Sequence, residues 1–333
     1  IKNQIELKFE AIGGTDIMAR FYKNDGGGVY CYVDSMKLAT KLDFNKLLNQ
    51  LSNSTKVDII TYSFDKLDFI KMLLNQGKSV RLILNSKSRT FKRAYGDLVG
   101  LSDNLAIYVN DKIHSKWILG DSQFVYTGSQ NLEDSDSFEN ISIFNDSKIY
   151  EYYESVFNNI LQGITPYNIK PINNTLIPNS PTASCYVPYE KTHSINVQNL
   201  DIKFSANGMV NWNQKFNGYH NRDILITTFS IPKFDYANEI VNKILRQGNR
   251  LHIVANNIAK NKLEKLKENN PSLTYSISPN IHAKLVLVDG KNKIVWSSSQ
   301  NFGSSTWTED TVNIKGEDTP YYFYKKALQE LII

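Results

Sequence analysis

The stretch "NDKIHSKWILGDSQFVYTGSQNLEDSDSFENISI", Asn110–Ile143, sets His114, Lys116 and Asp121 within eight residues. Gly128-Ser129-Gln130-Asn131 follows, and then Glu139. One such copy reads as a polar strand and a turn. A second copy runs through "NIHAKLVLVDGKNKIVWSSSQNFGSSTWTEDTVNI", Asn280–Ile314, with His282, Lys284, Asp289, Ser298-Ser299-Gln300-Asn301 and Glu309. Its turn is two residues longer, and Ser298 stands where the first copy has Gly128.

The repetition extends outward from the motif. "VDIITYSF" (Val57–Phe64) pairs with "RDILITTF" (Arg222–Phe229), both apolar runs that read as buried strands. "KMLLNQGKSVRLIL" (Lys71–Leu84) pairs with "NKILRQGNRLHIVA" (Asn242–Ala255): a helix end, a stop at Gly77 or Gly248, and another strand. "LAIYV" (Leu105–Val109) pairs with "LTYSI" (Leu273–Ile277). Offsets between matched positions stay within 165 to 171 residues, so every element keeps its order.

Strands alternating with helices predict an α/β fold, as two duplicated α-β-α layered domains with mixed sheets in a pseudo-twofold pair. The expected boundaries are residues 1–165 and 185–333. The Pro-, Asn- and Ser-rich segment 166–184 is the expected linker. "NDGGGVY" (Asn24–Tyr30) reads as a tight hairpin or loop, without the spacing of a phosphate loop. "PYYFYKKALQELII" reads as a closing helix.

With 333 residues the chain can bury a core in each half. Apolar residues are 41% and charged residues 21%, the balance of an ordinary globular protein. The net charge of +5 permits a polyanionic partner without demanding one. No apolar run is long enough to span a membrane. Cys31 and Cys185 are far apart, which predicts neither a disulfide framework nor a zinc site. The chain opens on Ile1, which leaves the compartment open between cytoplasm and secretion after signal removal.

The motif has a chemical logic. His114 and Lys116, two apart on a strand, project from one face. A turn at Asp121–Gln123 brings Ser129 and Asn131 back beside them. Imidazole, ammonium, hydroxyl and amide in one small volume suit a phosphate: the ammonium neutralises charge, the amide and hydroxyl donate, and the imidazole attacks phosphorus or moves a proton.

HxKxxxxD followed by GSxN, present twice, resembles the phospholipase D superfamily over nearly the whole chain. "SFENISI" (Ser137–Ile143) also resembles the acidic segment that follows the motif in the family's bacterial nucleases. The resemblance implies one active site between the halves and two-step transfer at a phosphodiester through a covalent phosphohistidine, with no metal and no cofactor. It implies His114 as nucleophile and His282 as acid, with Lys116, Lys284, Asn131 and Asn301 on the non-bridging oxygens. Glu139 and Glu309 then orient the imidazoles through their second nitrogens. Ser129 and Ser299 are expected at the substrate, and Asp121 and Asp289 in the turns.

A nuclease is the leading expectation for the substrate. "SKSRTFKR" (Ser86–Arg93) carries Lys87, Arg89, Lys92 and Arg93 around Phe91 with no acid, a loop suited to a phosphate backbone and a stacked base. The alternative is a phospholipase or phosphatidyl transferase with an apolar lip drawn from Trp117, Trp212, Phe216, Tyr219, Phe302 and Trp307. "NGMVNWNQKFNGYHN" (Asn207–Asn221) is then a loop over the pocket. A binding module with a retired site is the third class, and two complete His/Lys pairs argue against it. His193, His220 and His252 have no partners at a recognisable spacing. A monomer suffices for one complete site.

Overall fold

The structure is a computed structural model that describes residues 4–10, 16–23, 27–161, 194–206 and 212–332. The first half contributes β1 (Gln4–Glu10), β2 (Asp16–Lys23), β3 (Val29–Val33), β4 (Met36–Ala39), α1 (Phe44–Gln50), β5 (Lys56–Thr61), α2 (Leu67–Asn75) and β6 (Ser79–Leu84). It continues with α3 (Phe91–Leu98), β7 (Leu105–Val109), β8 (Trp117–Gly120), β9 (Phe124–Gly128), β10 (Ile141–Asn145) and α4 (Ser147–Leu161). The second half contributes β11 (Ser194–Val197), β12 (Leu200–Ser205), α5 (Trp212–Lys215), β13 (Asp223–Thr228), α6 (Phe234–Arg246) and β14 (Arg250–Ala255). It closes with α7 (Lys260–Asn269), β15 (Thr274–Ile277), β16 (Lys284–Val288), β17 (Ile294–Ser298), β18 (Glu309–Ile314) and α8 (Thr319–Leu331).

Among the described residues the first sheet has ten strands in the order β1-β2-β3-β4-β10-β9-β8-β5-β6-β7. The second has eight, in the order β11-β12-β18-β17-β16-β13-β14-β15. In each half the helical crossovers make three strands parallel, β5-β6-β7 and β13-β14-β15, and the remaining strands pair antiparallel. Both sheets are therefore mixed, as the alternating pattern predicts. The expected linker 166–184 lies outside the described residues, and so does His193.

Three apolar clusters hold these layers. One lies under α1, α2 and α3 of the first half, and a second under α5, α6 and α7 of the second. The third is shared: Trp117 and Leu119 of the first sheet meet Leu285 and Leu287 of the second, with α4 and α8 between. Strands buried on both faces, such as β16 (KLVLV), are continuously apolar after the first residue, because neither face meets water.

Two sequence expectations need correction. The first strands align with an offset of 167, so that Lys56 corresponds to Asp223: each takes the backbone N–H of its motif aspartate, Asp121 and Asp289. The sequence match at 165 sets Asp58 on Asp223, each of which pairs with an arginine of the neighbouring strand, Arg81 and Arg250. These cross-strand pairs lie two residues apart along the sheet, a shift that keeps the same face. The proposed lip is the second correction. Trp117, Trp212, Phe216, Tyr219 and Phe302 are all buried in the cores, and only Trp307 stays partly exposed. In the expected covering loop, residues 207–211 lie outside the described residues, and the rest forms α5 and core contacts.

Candidate active site

Topology gathers the motif. β8 runs antiparallel to β5, with Ile60 opposite Trp117, so the residues entering β8 stand beside the C-terminal end of β5. β9 returns along β8 and ends at Gly128, and β10 starts beside it with Ile141 opposite Gly128. His114, Lys116, Ser129, Asn131 and Glu139 thus converge on one sheet edge, and β13, β16, β17 and β18 do the same in the second half. His114 and Lys116 sit just before β8 rather than in it, whereas Lys284 opens β16.

The two edges are laced together across the halves. Ile113 forms a bridge with Thr308, and Phe138 with Ile281. Thr308 N–H donates to the Lys112 carbonyl at 2.8 Å, and Phe138 N–H to that of Asn280 at 2.6 Å. The Asn140 amide donates to Ser297 Oγ at 2.7 Å and to the Ser298 carbonyl at 3.0 Å, while Lys284 N–H donates to Asn140 Oδ1 at 2.8 Å. Asp310 Oδ2 accepts from Thr127 Oγ1 at 2.5 Å and from Tyr153 OH at 2.8 Å.

Each bridge places the residue before a histidine next to the residue before the other half's glutamate. His114 Nδ1 therefore lies 2.7 Å from Glu309 Oε1, and His282 Nδ1 lies 2.8 Å from Glu139 Oε2. The carboxylates are held in turn. Ser129 Oγ donates to Glu139 Oε2 and Ser299 Oγ to Glu309 Oε2, both at 2.5 Å. Ser135 Oγ reaches Glu139 Oε1 at 2.9 Å, and Ser305 Oγ reaches Glu309 Oε1 at 3.1 Å. Ser129 and Ser299 are buried on the carboxylates, so the structure puts them behind the imidazoles and not at the expected substrate contact.

The unlike first residue of the two turns leaves this geometry intact. A Cβ on Gly128 would meet the Asn140 carbonyl oxygen at 2.1 Å, which demands glycine. In the second half Ser298 finds room and donates its hydroxyl to the matching carbonyl, that of Asp310, at 3.0 Å.

Asn131 and Asn301 face both ways. Asn131 Oδ1 accepts from the N–H groups of Tyr62 (3.2 Å) and Ser63 (3.4 Å), and Asn301 Oδ1 from those of Phe229 and Ser230, both at 3.2 Å. Each amide oxygen thus pins the loop after the central strand, which leaves the Nδ2 end as the donor. Asp121 accepts from Thr55 N–H (2.7 Å), Thr55 Oγ1 (2.6 Å) and Lys56 N–H (3.1 Å), and Asp289 from Gly290 N–H at 2.7 Å. Both sit in the turns at the far end of their strands, where the sequence reading puts them.

Burial sets the electrostatics. Desolvation lowers the Lys116 pKa to about 8 and that of Lys284 to about 7, the two ammonium groups opposing each other at Lys284. Desolvation also lowers His114 to about 4, against the pull of Glu309, and lowers His282 against that of Glu139. For Glu139 and Glu309 burial acts upward, but the facing imidazole, the lysines and the serine hydroxyl bring each below the usual carboxylate range. Each imidazole turns Nδ1 toward a carboxylate, and burial favours its neutral form. The Lys116 ammonium donates to the His114 carbonyl, and Lys284 Nζ lies 3.2 Å from His282 Nε2.

The basic segment is partly as expected. Lys87, Arg89, Lys92 and Arg93 are exposed near the C-terminal end of β6, but Phe91 is buried at the start of α3, stacked on Tyr95, and offers no ring to a base. Arg93 pairs with Asp65 at 3.3 Å. His252 is a strand residue whose ring nitrogens meet Thr274 Oγ1 and Ser276 Oγ. Sequence reasoning missed Tyr62 and Phe229 and named Trp307 only as a lip residue; all three rings pack on the motif imidazoles. Tyr62 and Phe229 follow the central strands directly, which is the signal that was available. Among the described residues, no helix is long and apolar enough to cross a membrane, and no group of three or more His, Cys, Asp or Glu forms a metal cluster.

Residues 47–161 match a family model described as "Cardiolipin synthase, PLD-like domain". No curated protein matches the chain. Among solved structures, phosphatidylserine synthase of Haemophilus influenzae Rd KW20 is similar over 91% of this chain and 87% of its own, with TM-score 0.63 and 10% identity. Polyphosphate kinase of Porphyromonas gingivalis is similar over 90% of this chain, with TM-score 0.56 and 10% identity; this chain spans 50% of the kinase. At such identities the likeness is one of fold. A matched PLD-like domain over residues 47–161, a duplicated fold and a complete His/Lys pair in each half make the chain similar to the phospholipase D superfamily.

Proposed function

We propose that the protein is a metal-independent nuclease that cleaves phosphodiesters through a covalent phosphohistidine. The observation that carries this reading is the crossed pairing: each buried imidazole is aimed by the other half's carboxylate, and each feels the charge of both lysines.

In the first step His114 Nε2 forms a bond to phosphorus and the bond to the leaving oxygen breaks. His282 gives that oxygen its proton. The phosphorylated imidazole carries positive charge, and Glu309 at Nδ1 stabilises it. In the second step water gives a proton to His282, its oxygen attacks phosphorus, and the P–N bond breaks to restore His114. Lys116 and Lys284 neutralise the charge that builds on the non-bridging oxygens, together with the Nδ2 groups of Asn131 and Asn301. An incoming phosphodiester restores the charge of both lysines and of His282, because an anion in a desolvated site raises the pKa of the cations beside it.

Three observations support nucleic acid over lipid. Five of the six aromatic side chains that an apolar lip would need are core residues. The cavity beside His114 is lined largely by hydroxyls and amides. Lys87, Arg89 and Lys92 are exposed near the C-terminal end of a parallel strand, the strand end at which the site lies.

The test is cleavage of single- and double-stranded DNA, RNA and phosphatidylcholine vesicles side by side in excess EDTA. Nucleic-acid cleavage that survives EDTA and vanishes in His114→Ala is the expected result. Lipid hydrolysis with intact nucleic acid assigns the centre to headgroup transfer instead. Neutralising Lys87, Arg89, Lys92 and Arg93 together should weaken DNA binding and flatten its salt dependence, by about 0.9 in the log–log slope for each phosphate no longer neutralised.

A further inference from the structure

The two halves agree closely in the groups that do chemistry and differ in what surrounds them. At position 307, two residues before Glu309, the second half carries tryptophan; the first half has Ser137 at the matching place before Glu139. The backbone there is the same on both sides. Trp307 N–H donates to Ser305 Oγ at 3.1 Å, and Ser137 N–H donates to Ser135 Oγ at 3.1 Å. Each of these serines also holds its glutamate. The loop is therefore built without the indole, and Trp307 is an addition to it.

The indole lies across the seam. Its ring stacks on Tyr62 of the first half, with centroids 5.8 Å apart and planes 20° apart, and its centroid is 5.5 Å from that of His114. Among the described residues the ring packed on His282 is that of Phe229, the counterpart of Tyr62, edge-on at 5.1 Å. Beside His114 and Trp307 lies a cavity of about 360 Å³, with Ser230, Pro232, Ser304 and Thr306 in its wall. Trp307 lines that wall, and Tyr62, stacked on the indole, does not. Of the groups in the wall, only Glu309 is a carboxylate, and its oxygens are occupied by His114, Ser299 and Ser305; no lysine or arginine contributes.

Such a wall suits one kind of group. It offers a flat π-face, several hydroxyls and no free charge. A phosphate would need cations and an acyl chain would need an apolar lining. A quaternary ammonium headgroup would need an open carboxylate or a cage of rings. A planar heteroaromatic ring with donors and acceptors on its edge meets all three features. We propose that Trp307, backed by Tyr62, stacks a nucleobase that flanks the scissile phosphate on the His114 side, with the hydroxyls of Ser230, Ser304 and Thr306 at its edge. This rests on the nuclease reading and makes Trp307 a specificity residue of the same site.

The experiment compares kcat/KM on a single-stranded oligodeoxyadenylate and on an abasic tetrahydrofuran strand of equal length. The whole chain is used, as wild type, Trp307→Ser and Trp307→Phe. The wild type should prefer the base-bearing strand by about tenfold, the scale of one base–aromatic stack. The preference should lie in KM, collapse to about one in Trp307→Ser, and largely return in Trp307→Phe. Equal use of both strands by the wild type overturns the inference while leaving the nuclease reading in place. So does a Trp307→Ser variant that loses kcat alike on both strands with a displaced acid limb in its pH profile, because the indole then only supports the imidazole. Hydrolysis of phosphatidylcholine with neither strand cleaved overturns the nuclease reading and this inference together.

Discussion

His114 Nδ1 and Glu309 Oε1, 2.7 Å apart, belong to different halves of the chain, and His282 and Glu139 repeat the exchange. Neither half holds a complete histidine–carboxylate pair of its own. In Glu309→Gln the imidazole resonances of His114 should move and its pKa should fall further, because Glu309 is the group that raises it. His282 should be the imidazole affected in Glu139→Gln. Histidine NMR titrations of the two variants check this, and the reverse pattern would mean that the pairs form within each half. Turnover of either variant should fall by about 10²-fold or more, as when an orienting carboxylate is lost from a catalytic histidine.

His282 and the buried lysines set the alkaline side of the pH profile. Below about pH 4 His114 takes a proton and loses the lone pair that attacks. Above about pH 7 Lys284 loses its proton and with it the charge that meets the phosphate. His282, the acid of the first step, loses its proton on the same side, since burial holds it below the ordinary histidine value. A plot of kcat/KM should therefore rise as His114 loses its proton and fall as His282 and Lys284 lose theirs. The alkaline limb of kcat should lie higher than that of kcat/KM, because bound phosphate favours the charged lysine. Lys284→Arg should remove the Lys284 limb, at some cost in rate, since guanidinium stays charged throughout this range.

Ser129 and Ser299 separate positioning from binding. Their hydroxyls meet carboxylates, not the open site. Ser129→Ala should lower kcat by about tenfold and leave KM within about twofold, the signature of a group that acts through its neighbour. A rise in KM with kcat unchanged would return Ser129 to the substrate.

Asn131 can be split into its two ends. Its oxygen accepts from the loop after β5, and its nitrogen is the end left for substrate. Asn131→Asp keeps the acceptor and should keep the melting temperature within a few degrees while activity falls by about 10²-fold. Asn131→Ala removes both and should cost about 1–3 kcal/mol of stability as well, because buried loop N–H groups lose their partner. Thermal melts alongside turnover distinguish the two variants.

Local chemistry was enough to read the duplication, the two His/Lys pairs, the turn role of the motif aspartates and the mixed α/β layers. Those features depend on residues close in sequence: alternation on a strand, a glycine stop, an aspartate beside its own turn. The two-residue error in matching the central strands came from a likeness of apolar runs that set Asp58 on Asp223, and the sheet register overrules it. Burial was also beyond local reading. Trp117 and Trp212 look like lip residues in a line of sequence and are core residues in the fold, because burial is a sum over neighbours drawn from the whole chain.

What the sequence by itself determined is the set of reacting groups and their order along each half. What only the tertiary structure decided is the partnership between them. Which glutamate faces which histidine depends on bridges from Ile113 to Thr308 and from Phe138 to Ile281, which form once a shared core presses the two sheets together. The aromatic stack of Tyr62 on Trp307 exists for the same reason, since its rings come from opposite halves and meet only at the seam.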